Sequence, residues 1–167
     1  MKYRAIHFLL IWLSGVLLAT GCSYSGRSGN ITASSLVTKS DAERVLGVPV
    51  RPWIDTTSGQ ESTCSYVEAP NGSQICLQAT FVVAESEQQV QATEEIAKRF
   101  EARDGTVETV EGIGDGAWLV KRKGTQVLHV RKKNIAFLLF LDAEKCGIKE
   151  LANDEMKRLA KRVAEKL

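Results

Sequence analysis

Cys22, Cys64, Cys76, Cys146 and His129 are the side chains whose chemistry could define a function in this 167-residue chain. Histidine is scarce. His7 falls in an apolar leader, so His129 is the one imidazole beyond it. A nucleophile–base triad therefore has a single candidate base, and a histidine-based zinc site has no second imidazole ligand. His129 alternates with Leu128 and Val130, which is the setting of a half-buried strand residue. The acid pairs Glu94-Glu95 and Asp154-Glu155 occupy helical segments. Adjacent helical residues do not face each other, so paired acid and base work is not expected from them. Gly112-Ile113-Gly114-Asp115-Gly116 has the glycine density of a phosphate loop. A phosphate-binding fingerprint must open a helix, however, and Ala117-Trp118-Leu119-Val120 opens a strand. The stretch reads as a tight turn whose glycines take positive φ, with Trp118 packed beneath it.

Cys22 has a different context. Lys2 and Arg4 precede an apolar stretch from Phe8 to Leu18 that only Ser14 and Gly15 interrupt, and Leu17-Leu18-Ala19-Thr20-Gly21 leads to the thiol. Crossing roughly 30 Å of hydrocarbon takes about 20 apolar residues, so this stretch is too short to span and reads as a cleaved export signal. The segment resembles a bacterial lipobox, with Ala19 where leucine is more usual. That likeness implies a diacylglyceryl group on Cys22, cleavage just before it, and palmitate-type chains holding the protein to membrane lipid. Several acyl chains make such anchoring effectively permanent, at about 0.8 kcal/mol per buried CH₂. Ser23 resembles the residue that accompanies sorting to the outer membrane in a two-membrane bacterium, so the expected location is the cell envelope, on the periplasmic side.

The expected organisation is a signal over 1–21, an acylated amino terminus and flexible tether over 22–37, and one domain over 38–167. Residues 23–37 are small, polar and aperiodic, and a flexible segment of that length spans roughly 20 to 25 Å. The 130 residues that follow are enough to bury a core without help from crosslinks. Removing 1–21 leaves 20 Lys+Arg against 20 Asp+Glu. A neutral chain lacks the basic footprint that nucleic-acid binding requires. The charge is unevenly spread, with nine acids against three bases over 85–115 and thirteen bases against six acids over 116–167.

Element signals are clear. Thr38 and Asp41, then Ala42, Val45, Leu46 and Gly47, predict a short capped helix with a left-handed glycine stop. Ser62–Glu68 and Gln74–Val83 predict two strands around the Asn71-Gly72 hairpin signal. Ser86 and Gln89 cap a helix over 87–104 whose inward face is expected to be Val90, Ile96, Ala97 and Phe100. Strands follow at 106–110, 117–122, 125–131 and 135–141, the last uniformly apolar and so central. A final helix is expected over 148–166, with Ile148, Leu151 or Ala152, Met156, Leu159, Ala160 and Val163 inward. This order predicts an α+β domain, an antiparallel sheet with its two longer helices packed on one face and a short amino-terminal helix.

Export would place Cys64, Cys76 and Cys146 in an oxidising compartment. Proximity favours a Cys64–Cys76 disulfide. Hairpin register opposes it: with a two-residue turn, Tyr66 faces Leu77 and Cys64 faces Ala79, which points Cys76 to the other face opposite Val67. Cys64–Cys146 is the competing pair, and Cys64–Cys76 ranks first.

Leu36 to Gly47 with Pro49-Val50, Cys64-Ser65-Tyr66, Gly112 to Trp118 and the terminal Leu159-Ala160-Lys161-Arg162-Val163 together resemble small bacterial envelope lipoproteins, families known mainly as domains of unknown function. The likeness implies the fold and no catalytic residues. The basic triplets Lys121-Arg122-Lys123 and Arg131-Lys132-Lys133 sit at opposite ends of one strand, roughly 20 Å apart, and form no single patch. The expected function is a membrane-anchored binding or accessory module that is not an enzyme and needs no cofactor or metal. It would hold an envelope protein on an uncovered sheet face or edge, where Val67 and Val82 are expected to lie exposed. A binder of a small or polymeric ligand lodged between sheet and helices is the alternative, ahead of a hydrolase that would depend on His129.

Overall fold

The computed structural model describes residues 32–148 and 153–167. Cys22, the signal and the first part of the tether lie outside the described residues. The domain is α+β, with its elements in the order α1 (Ala33–Leu36), α2 (Lys39–Leu46), β1 (Val50–Ser58), β2 (Glu61–Glu68), β3 (Ile75–Val83), α3 (Glu87–Glu101), β4 (Thr106–Thr109), β5 (Gly116–Arg122), β6 (Thr125–Lys132), β7 (Ile135–Asp142) and α4 (Asn153–Lys166). All seven strands join one antiparallel sheet in the order β1-β2-β3-β7-β6-β5-β4.

The folded region starts earlier than the expected tether boundary at residue 37. Ala33 and Val37 are fully buried and Leu36 nearly so. The Ala33 N–H donates to Ser62 Oγ at 2.8 Å, and the Val37 carbonyl accepts from the Tyr66 hydroxyl at 2.5 Å. The apolar spacing 33, 36, 37 is one helical turn long and hides among serines and threonines, which is why composition reads the segment as tether. At α2 the capping box forms as expected and Gly47 closes the helix at φ 69°. Asp41 does more than cap. One of its oxygens accepts from the Thr38 N–H and hydroxyl, and the other accepts from Arg162 on α4 at 2.5 Å. Burial by itself would raise the Asp41 pKa, but those hydrogen bonds and the Arg162 charge together hold it below the usual carboxylate range.

The two longer helices cover opposite faces of the sheet, and not one face as expected. α4 buries Met156, Leu159, Ala160 and Val163 in one cluster with Leu77, Leu119, Leu128 and Leu139, joined by Ala33 and Leu36 of α1 and Val45 and Leu46 of α2. Ala97 of α3 packs on Trp118, Val120 and Val127, the strand residues that alternate with that set. The reason is topological. β3 and β4 lie four antiparallel steps apart and so run parallel, which makes α3 a crossover. The handedness of crossovers, and not the periodicity of the helix, decides which face it covers.

The cysteine pairing is also corrected. Cys64 stays reduced and buried, and Cys76 bonds to Cys146 with their Cα atoms 5.7 Å apart. The register explains it. Tyr66 faces Leu77 and Cys64 faces Ala79, but Val67 then faces Ile75, so Cys76 is an extra bulged residue with no partner on β2. A bulge puts two neighbours on one side of a strand. Cys76 joins Leu77 in the main core, where the turn after β7 delivers Cys146.

Removing the crosslink should therefore be costly. The bond closes a separation of 70 residues, worth about 4 kcal/mol in the chain-entropy account. The Cys76→Ala, Cys146→Ala double variant should show a large fall in denaturation midpoint, whereas Cys64→Ala should show a modest one. Equal midpoints for wild type and the double variant would contradict the pairing.

Candidate functional site

Most of the side chains with reactive chemistry are committed to the fold. His129 stacks flat on Trp118, ring centroids 3.7 Å apart at 7°. Trp118 therefore packs under α3 and not beneath the glycine turn. Burial, reinforced by the nearby positive charges of Arg122 and Lys98, pushes the His129 pKa down to about 3. Its Nε2 has no hydrogen-bond partner among the described residues, and no carboxylate orients it as a base would require. Cys64 points its thiol at the Val37 carbonyl, 3.8 Å away, and burial pushes its pKa up to about 11. A thiol held neutral in this way is a poor nucleophile. Burial also raises the neighbouring Tyr66, and the adjacent Cys64 adds to the effect.

The glycine-rich turn clasps its neighbour. The Asp115 N–H donates to the Arg131 carbonyl at 2.8 Å, and a Cβ on Gly114 would lie 2.4 Å from that same oxygen. Only glycine fits so close an approach, and its φ of 59° suits the residue as well. The Asp115 carboxylate accepts from the Lys133 N–H at 2.7 Å and from Lys132 Nζ at 2.9 Å. The hydrogen bond from the Lys133 backbone, followed by those to Lys132, holds the Asp115 pKa below its ordinary value. An acid fills the place where a phosphate loop would present free amides.

The basic triplets are largely paired as well. Lys121 meets Glu108 at 2.8 Å, Arg122 meets Glu101, and Arg131 meets Glu94 at 3.0 Å. Clefts lie beside α4 among the described residues. One of about 300 Å³ between α2 and α4 holds Arg44, Arg158 and Arg162, with Asp41 and Glu155 among them. The other, about 450 Å³, lies between the glycine turn and the end of α4, where Lys132, Lys133 and Lys161 face Glu165. The first is nearly balanced, and the second carries an excess of positive charge. Among the described residues no group of three or more His, Cys, Asp or Glu could hold a metal ion.

The opposite face of the sheet has a different character. α3 lies over β4 to β7, and among the described residues no helix covers β1 to β3 on that side. Cross-strand pairing lines up two rows there: Ile54, Ser65, Gln78 and Phe140, then Thr56, Thr63, Thr80 and Leu138. Thr63 and Thr80 hydroxyls meet at 3.2 Å, and Gln78 Nε2 donates to Thr80 Oγ1 at 3.3 Å. Trp53, the bulged residue next to Ile54, borders the rows and is 49% exposed, with the Arg51 guanidinium 4.9 Å from its ring centroid. On the far side stand Ile96 and Phe100 of α3, 57% and 47% exposed. Sequence periodicity places these two inward. In the fold, Glu94 and Glu101 take inward positions through their ion pairs with Arg131 and Arg122 and rotate Ile96 and Phe100 out. The apolar alternation expected at Val67 and Val82 is not what this face presents, because Val67 is fully buried and Val82 half-buried.

No protein-family model and no curated protein matches the chain. Among solved structures, a GTP binding regulator from Thermotoga maritima is similar at 13% identity, covering 81% of this chain and 86% of that one, with a TM-score of 0.43.

The state of His129 has a measurable consequence. A folded pKa of about 3 lies below the ordinary 6.5, so between those values the unfolded chain binds the extra proton. Stability is then lost as pH falls, by up to about 1.4 kcal/mol per unit. His129→Phe keeps a ring on Trp118 and cannot titrate. Its unfolding free energy, followed from pH 7 to 4, should fall less steeply than that of wild type. Parallel curves would contradict a neutral buried imidazole.

Proposed function

We propose that this chain is an exported envelope lipoprotein, tethered to membrane lipid through acylated Cys22, whose folded domain binds a partner or ligand and does not transform it. The observation that carries this reading is the Cys76–Cys146 disulfide within the main core. Such bonds persist in oxidising compartments and are rare in reducing ones. A chain that combines a lipobox-like Leu17–Cys22 with a core crosslink is consistent at both ends.

The binding role draws support from how the reactive groups are used. His129 and Cys64 pack inside the fold and the exposed Asp115 carboxylate is held by Lys132 and Lys133, while Trp53, Ile96 and Phe100 are exposed to solvent. In a bacterium with two membranes, Ser23 favours the outer one, with the domain in the periplasm.

Two measurements test the reading. Radiolabelled palmitate should enter the wild-type chain and be absent from Cys22→Ala, which should leave the membrane fraction. Thiol alkylation of the protein taken directly from cells should modify Cys64 after unfolding and spare Cys76 and Cys146. A chain that is unlabelled and fully reduced in its own cells would overturn the assignment.

A further inference from the structure

We infer that the lysine-lined cleft between the glycine turn and the end of α4 docks on the headgroups of anionic phospholipids and so sets which end of the domain faces the bilayer. The inference rests on the lipid-anchor reading above for its direction. Lys132, Lys133 and Lys161 line the cleft, with Glu165 as its acid side chain and Gly112 and Gly114 on the turn side. Asp115 balances Lys132 at 2.9 Å. Among the described residues the ammonium groups of Lys133 and Lys161 have no acid within ion-pair distance, Glu165 included, and both side chains are exposed. The turn itself presents Lys133. Its φ is 52°, a left-handed conformation that the matching turn at the other end of β6 gives to Gly124, at φ 74°. The Asp115 carboxylate holds Lys133 there by its backbone N–H at 2.7 Å. A lysine in that place accepts a backbone cost that glycine avoids, and it sets a charge at the tip of the turn.

Cross-strand pairing fixes which end of the sheet this is. Ser62, Phe81, Phe137 and Val130 form one row across β2, β3, β7 and β6. The Ala33 N–H at the start of α1 donates to Ser62 in that row, and the Val37 carbonyl after α1 accepts from Tyr66, further along β2. α1 therefore starts nearest the turn between β1 and β2, and Thr32, the tenth residue after Cys22 in the sequence, enters the fold there. Lys132 lies two residues beyond Val130 toward the same end. It alternates with Val130 and Leu128 of the core under α4, so it shares the face of α1, three strand spacings or roughly 15 Å from β2. A chain anchored at Cys22 presents to the bilayer the end that its amino terminus enters, and the unpaired lysines stand at that end. The chemistry selects headgroups over a free phosphate. The amides that could cradle a phosphate are taken, Asp115 N–H by the Arg131 carbonyl and Lys133 N–H by the Asp115 carboxylate. What remains are ammonium groups on long stems, which act as point charges and suit a fluid anionic surface. Their attraction reaches about 8 Å at physiological ionic strength and weakens as salt rises.

The test uses the processed chain with Cys22→Ser, which carries no acyl group, and vesicles of phosphatidylcholine alone or mixed with phosphatidylglycerol. Retention is expected on the mixed vesicles only, and it should fade as salt is raised. Lys133→Gln with Lys161→Gln should lower the affinity about tenfold or more, with the thermal midpoint unchanged. Lys123→Gln, at the far end of β6, should leave it as it is. In the acylated wild type on mixed vesicles, Lys133 and Lys161 should be protected from an amine reagent relative to the same chain in detergent, and Lys123 should not. Retention that ignores lipid charge or survives the double substitution, or equal reactivity of the three lysines in both settings, would overturn the inference. So would saturable binding of inorganic phosphate without retention on vesicles, which would make the cleft a site for a free anion. Palmitate labelling separates the two readings. A labelled chain with no preference for anionic vesicles keeps the anchor and loses the headgroup site, and an unlabelled chain that prefers them keeps the site and loses the anchor.

Discussion

The path of α3 is the constraint on which the rest of this molecule depends. The chain leaves β3, third from one edge, and must reach β4 at the opposite edge, so its helix can shield only the strands it crosses. The face under α4, α1 and α2 is closed, and on the other face no helix among the described residues covers β1 to β3. An open sheet face normally alternates polar residues outward, and this one does so with Thr56, Thr63 and Gln78. The exposed Trp53 is the departure from that rule, because a large aromatic side chain at a sheet edge leaves apolar area in water. The Arg51 guanidinium lies 4.9 Å from its ring centroid.

The reactive residues follow the same logic in reverse. His129 fills space between Trp118 and the charges of α3, at the cost of a depressed pKa. Asp115 ties two turns together, and Asp41 joins α2 to α4 across 121 residues of sequence. The inward charges of α3, Glu94 and Glu101, are neutralised by strand arginines. Side chains that carry chemistry in other proteins serve here as the polar fastenings of a small domain, next to a core crosslink.

What could be read from sequence was local. Thr38, Asp41 and Gly47 announce α2 because capping and a left-handed stop are determined within one helix. The apolar run at β7 and the turns at Gly124 and Asn134 mark the second half of the sheet for similar reasons. The hairpin register was right at Cys64 and Tyr66, and it failed at Cys76 because a bulge leaves no pattern in residue types. β1 is not legible in the sequence, because Pro52, Trp53 and a threonine-rich tail show no alternation, as suits an edge strand that buries only Val50. Ile96 and Phe100 were misplaced because hydrophobicity alone cannot anticipate ion pairs that pull glutamates inward. The pairing of Cys76 with Cys146, and the choice of face for α3, are tertiary facts that no window of sequence contains.

The account's central claim is that this is an exported domain with a crosslinked core, held to lipid at Cys22. The most direct measurement is intact-mass analysis of the protein isolated from its own cells under thiol-blocking conditions. The account predicts a chain that starts at an acylated Cys22 and carries the Cys76–Cys146 bond with Cys64 free. An unmodified chain with all its thiols reduced would contradict it.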